Sequence, residues 1–161
     1  MRFWVLLVLC GILPDLDAIG LRMGVAYGGL WGHRGLTHSL PFAAIVSLLV
    51  VCLAFRGQKL LSPRWWALWA MFFLVMVAHD VLDAMTDGGL GVAFFSPFDT
   101  TRYFLPWRPL AVSPIGLRCF LTNRGLHVIL NECLWVWVPM TLLWSAVVLL
   151  SIGKGGAPDE S

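Results

Sequence analysis

Charge is what this chain has least of. Lys and Arg number 11 and Asp and Glu 9 in 161 residues, 12% of the chain, for a formal net charge of +2. A soluble domain is about 25% charged and about 45–50% apolar. Here 59% of residues are hydrophobic and the mean hydropathy is +0.82. That shortage excludes an ordinary soluble domain and points to a small integral membrane protein. The net charge is too small to argue for nucleic acid as a partner. The four cysteines, Cys10, Cys52, Cys119 and Cys133, have no CxxC spacing and read as buried small hydrophobes rather than disulfides or zinc ligands. There is no GxSxG, no Cys beside a His, and no Walker or dinucleotide glycine motif. Seryl, cysteinyl and nucleotide chemistry lose their usual signatures with them. Internal repeats and low-complexity tracts are also missing.

What is present is four apolar stretches. They run over Phe3–Leu13, about Leu40–Phe55, Trp65 to about Met85, and about Cys133–Ile152. A full crossing needs about 20 residues, with a range of about 17–25. The third and fourth meet that length, the second is short but usable, and the first alone is too short. No small-residue cleavage site follows the first stretch, so it reads as a membrane-embedded helix, short or truncated at its start, rather than as a signal peptide. A basic turn, RGQKLLSPR, separates the second and third stretches. A long connection over 88–131, rich in Gly, Pro and aromatics, separates the third and fourth. It reads as an interfacial or partly re-entrant cap, because irregular backbone at membrane depth needs protein or water beside it. The expectation is an all-α integral membrane protein of about four transmembrane or membrane-embedded helices. One domain would span 1–152, with a polar tail at 153–161.

Threading these stretches through a bilayer sorts the ionisable residues. All four histidines and seven of the nine acids fall on one face. The opposite turn has none of either. Within AHDVLDAMTDGG, His79, Asp83 and nearly Asp87 are spaced i, i+4, i+8, one helix face, while Asp80 lies about 100° around. Each ionisable residue deep in a membrane costs about 2.5–3.5 kcal/mol, so three unpaired ones cost roughly 7–10 kcal/mol. That rivals the whole stability of a domain. A divalent cation compensates well, since imidazole and carboxylate are its natural ligands. The competing explanation is a salt-bridge cluster in which Asp83 pairs with Arg22 or Arg34. Pro14-Asp15-Leu16-Asp17 reads on its own as an ordinary turn. His33 and His38, in HRGLTHS, read otherwise as interfacial histidines ahead of a helix capped by Ser39 with Pro41 in its first turn. His127 reads as structural.

Taken together, PDLD, GHRGLTHS and HDVLDAMTDGG resemble the bacterial inner-membrane, metal-dependent hydrolases of the YdjM type, some of them LexA-regulated. GGLGVAFFSPF, RYFLPWRP and VSPIG resemble one large subgroup. The resemblance spans about residues 11–140 and implies a multi-pass inner-membrane protein with an embedded metal centre. The family is similar at a distance to zinc-dependent phospholipase C. Carried over by motif, the implied ligands are Asp15, Asp17, His33, His38, His79 and Asp83. Family members usually open with a further helix portion carrying a His, which has no counterpart here.

The function expected from this is phosphoester hydrolysis of a phospholipid or lipid-linked phosphate, using Zn²⁺, with Mg²⁺ or Mn²⁺ as alternatives. A bound metal lowers the pKa of water to about 7. Asp87 or Asp80 would serve as general base, and Arg34 would grip a phosphate oxygen. Arg102 and Arg108 would hold a headgroup or simply anchor at the interface. Thr37 and Thr86 would orient ligands. The alternative is a metal-binding transporter or a non-catalytic scaffold, since ionisable groups within membrane helices also mark ion pathways. The short basic turn 56–64 is expected in the cytoplasm, with the site facing outward.

Overall fold

The computed structural model describes residues 1–114 and 121–154. Among these the regular structure is helical, apart from an isolated antiparallel bridge between Val92 and Tyr103. The chain forms two compact units, residues 1–108 and residues from 109 onward.

The first unit begins with α1 (Arg2–Ile12), a 3-10 turn (Pro14–Asp17) and α2 (Ala18–Arg22). Proline has no N–H to donate, and its ring crowds the carbonyl four residues back. The path accordingly bends by 48° between Arg2–Ile12 and Pro14–Arg22. The first apolar stretch is therefore one limb of a bent pair, and PDLD sits at the bend.

A second 3-10 turn (Leu36–His38) leads into α3 (Leu40–Ala54). The Ser39 hydroxyl accepts from Phe42 N at 3.2 Å and Pro41 occupies the first turn, so the capping expected there is present. The basic turn then delivers α4 (Pro63–Ala84), capped in the same way by Ser62, whose hydroxyl accepts from Trp65 N at 3.3 Å. The core between α1, α3 and α4 consists of Phe72 and Met76, both fully buried, with Cys10, Ala43, Val51 and Trp65. In lipid the solvent is as apolar as the side chains, so close packing and interhelical hydrogen bonds must hold helices together. Ala43 allows that approach, and Trp69 Nε1 donates to Ala44 O at 3.2 Å.

α4 ends at Ala84, three residues before Asp87. Thr86 turns back there, its hydroxyl donating to Asp83 O at 2.8 Å. Asp87 therefore does not continue the His79–Asp83 face. The following segment is irregular, as its composition suggested, and lies against the site elements. Leu40 N donates to Phe94 O at 2.9 Å, Ala93 N to Arg34 O at 3.1 Å and Leu105 N to Ala84 O at 2.9 Å.

In the second unit, α5 (Asn123–Glu132), a π-helical stretch (Cys133–Trp137) and α6 (Val138–Lys154) follow one another. Together Asn123–Ile152 make a 30-residue helix. It starts ten residues before the apolar run does, because its first part is amphipathic rather than uniformly apolar. Glu132 thus lies within the helix rather than at its opening. Asn131 holds the preceding loop, donating to Pro109 O at 3.0 Å and accepting from Ala111 N at 2.8 Å. Among the described cysteines Cys10 is buried, as expected, whereas Cys52 and Cys133 are exposed. Cys119 lies outside the described residues. Two helices, α4 and Asn123–Ile152, are long and apolar enough to cross a membrane, or three spans if the bent pair is counted; α3 is apolar but shorter.

Candidate metal centre

Three segments of the first unit meet at one point: the PDLD bend, the HRGLTHS turn and the last turn of α4. The backbone makes this meeting possible. Gly35 is required because a Cβ there would collide with Leu30 O and Gly32 O. Arg34 adopts the left-handed region, φ 61°, which costs an L residue energy and persists only where its surroundings demand it. In that conformation its backbone N donates to Asp17 Oδ2 at 3.1 Å. Its side chain reaches the other way, Nη2 donating to Asp83 Oδ1 at 2.9 Å and Nη1 to Thr86 Oγ1 at 2.8 Å and Gly88 O at 3.2 Å.

Four side-chain atoms face one another at the meeting point. His38 Nε2 lies 3.3 Å from Asp83 Oδ2 and 3.7 Å from Asp15 Oδ1. His79 Nε2 lies 3.5 Å from Asp15 Oδ1 and 3.8 Å from Asp83 Oδ2. Zinc ligands about 2.0–2.1 Å from a tetrahedral centre are about 3.3–3.4 Å from each other. The observed separations are close to that. His38 Nε2, His79 Nε2 and Asp83 Oδ2 are buried and have no hydrogen-bond partner, a rare and costly condition in a folded protein. Asp15 differs, with 54% of its side chain exposed, so the cluster opens to solvent along one edge.

Asp17 and His33 stand behind this cluster. Asp17 Oδ2 lies 3.1 Å from His38 Nδ1 and accepts from Thr37 Oγ1 at 2.6 Å; Oδ1 lies 2.6 Å from His33 Nδ1. Asp17, His33 and His38 also form a second group with ligand-like spacing. A carboxylate on Nδ1 holds a proton at that nitrogen and fixes the ring, so Nε2 faces the cluster as the position where a cation would exchange for a proton. Burial alone would lower the His38 pKa, but the carboxylates of Asp15, Asp17 and Asp83 prevail and push it up to about 11. A pocket that draws one proton so strongly is built for positive charge.

All six expected ligands are thus brought together. Of the three arginines singled out for phosphate and headgroup, two are engaged within the protein. Arg34 is only 4% exposed and its terminal nitrogens are engaged, so it braces Asp83 and does not reach out to an oxyanion. Arg102 donates to the carbonyls of His33 (2.9 Å), Tyr27 (3.0 Å), Gly29 (3.3 Å) and Gly91 (3.4 Å), stapling two loops. Arg108 remains exposed, 4.7 Å over the Phe104 ring. Asp80 is fully buried, with no partner for either oxygen, and Asp87 is exposed. His127 lies in α5, in the second unit. The Arg34–Asp83 pair is one of the two that the salt-bridge explanation named. The orienting role of Asp17 behind His38 was missed in the sequence, where the short DxD spacing was its only signal.

An all-helical membrane protein in which a polar cluster joins imidazoles and carboxylates from three motifs is the class that these features define. The YdjM inner membrane protein family model matches residues 2–156, and this chain belongs to that family. Inner membrane protein YbcI of Escherichia coli (strain K12) is 38% identical over 141 residues, 85% of this chain and 80% of that protein. No solved structure matches. The chain is accordingly a multi-pass protein of the inner membrane.

Proposed function

We propose that this protein is a membrane-bound metal-dependent hydrolase whose Asp15, His38, His79 and Asp83 hold a divalent cation, Zn²⁺ before Mg²⁺ or Mn²⁺. One observation carries the reading: three buried ligand atoms without partners, converging with Asp15 Oδ1 at 3.3–3.8 Å. Two imidazoles and two carboxylates suit a borderline cation, and the open edge at Asp15 suits a catalytic rather than a sealed structural site. When bound, such a cation supplies Lewis acidity, acidifying water and polarising a phosphoryl oxygen.

The remaining residues set the stage for that chemistry. Asp17, itself held by Thr37, His33 and the Arg34 amide, keeps a proton on His38 Nδ1. Arg34 pins Asp83 Oδ1, so Oδ2 turns inward. Asp87, exposed just past α4, is the general-base candidate that faces solvent. Asp80, fully buried one residue after His79, lies behind the cluster and out of reach of solvent. The segment carrying exposed Phe95 and Phe98 shelters the acyl part of a phospholipid or lipid-linked phosphate substrate. Four membrane-embedded segments, counting α3 and the bent pair, anchor the chain in the bilayer.

Elemental analysis of purified protein tests the site: about one cation per chain is expected, and His79→Ala and Asp83→Ala should each abolish it. Unchanged metal in both variants ends the proposal. Activity is tested on bis-phenyl phosphate and on phospholipid. Metal without turnover, together with cation flux in vesicles, favours transport instead.

A further inference from the structure

The opposite end of α4 carries a second feature. Trp65 precedes His79 by 14 residues, about 21 Å along the helix at about 1.5 Å per residue. A cavity of about 280 Å³ opens there, with Val51, Phe55 and Trp65 on its apolar side and Arg56 and Gln58 on its polar side. The Arg2 guanidinium sits 5.0 Å over the ring of Phe55. Lys59 and Arg64 belong to the same turn. No Asp or Glu occurs between Asp17 and Asp80, or before Asp15. The ion pairs of the described residues all involve Arg34 or a histidine, so these four cations are unmatched within them. The N-terminus of α4 adds its own partial positive charge. Leu60, also in its lining, is exposed, as are the chain neighbours Leu61 and Trp66, so apolar surface is available beside it.

We propose that this cavity binds an anionic phospholipid of the surrounding membrane. The charge is complementary: a guanidinium fork matches a phosphate in two bonds, and basic pockets between membrane helices suit acidic headgroups. Phe55 and Trp65 receive the start of an acyl chain, while Arg56 and Arg2 grip the phosphate. The occupant is a lipid rather than a free anion because Val51, Cys52, Phe55, Leu60 and Trp65 make most of the lining apolar. This site is independent of the metal centre.

The test is lipid retention by the detergent-purified full chain, followed by native mass spectrometry with phosphatidylglycerol and phosphatidylcholine of equal chain length. Wild type should retain phosphatidylglycerol preferentially. Arg56→Gln combined with Lys59→Gln should cut that preference by about fivefold for each charge removed, with metal content unchanged. Equal retention of both lipids by wild type, or an unaltered preference in the double variant, overturns the proposal. Displacement of the lipid by soluble glycerol phosphate overturns it too, since a free-anion site would then suffice.

Discussion

At its C-terminal end α4 contributes His79 and Asp83 to a cluster in which imidazoles and carboxylates face one another. At its N-terminal end the same helix meets Arg56, Lys59 and Arg64, with no acid in reach along the sequence. The helix macrodipole favours cations at a C-terminus and anions at an N-terminus. Both ends therefore ask for a charged guest, of opposite sign. They differ in how far the protein itself answers. The site end sets imidazoles against carboxylates and buries three of the four facing atoms, whereas the basic end has no acid of its own set against its charges.

The largest effect that would break this contrast is His38→Ala. It removes a fully buried imidazole shared by both ligand groups and should eliminate bound metal altogether, read by elemental analysis. Retained metal would mean that the acid-rich end is a salt-bridge knot and not a cation pocket. Next comes Asp17→Asn, which keeps the shape but weakens the grip on His38 Nδ1. Metal affinity should fall by about 10–100-fold, the usual cost of losing such a support, measurable by competition with a chelator. Proton linkage gives a third test. The His38 pKa is raised to about 11, so at neutral pH the cation must displace a proton there. Metal affinity should therefore rise with pH by up to about tenfold per unit below that value, and titrations in buffers of different ionisation enthalpy should report proton release. The smallest effects come from the caps. Ser39→Ala and Ser62→Ala each remove one bond at a helix start and should cost about 1 kcal/mol of stability. Only the first, next to His38, should also weaken metal binding.

Much of this was legible from the residues. Apolar runs marked α1, α3 and α4 to within about two residues, because a helix in lipid must be apolar for as long as it is embedded. The gathering of the six ligand candidates followed from threading and motif. The rest was hidden for physical reasons. Asp87 shares the i+8 position with the His79–Asp83 face only if the helix continues, and Thr86 ends it by turning back on Asp83. Asp15 and Asp17 look equivalent in PDLD. In a 3-10 turn of about three residues, positions two apart point in different directions. One carboxylate thus faces the cluster and the other backs His38. Arg34 reads equally as a phosphate grip and as a salt-bridge partner of Asp83, and only the fold decides, by bringing that acid, 49 residues downstream, to 2.9 Å. The start of α5 escaped because an amphipathic turn looks like loop beside a saturated apolar run.

Arg34 joins Asp17 through its amide and Asp83 through its guanidinium. Its own covalent length consequently acts as a gauge block between the bend after α1 and the end of α4. Bilayers thicken, thin and flex, and helices held by packing alone drift with them. A spacer of fixed reach insulates the bore of the pocket from those deformations, and a lysine, with a single tip in place of a fork, would surrender that calibration.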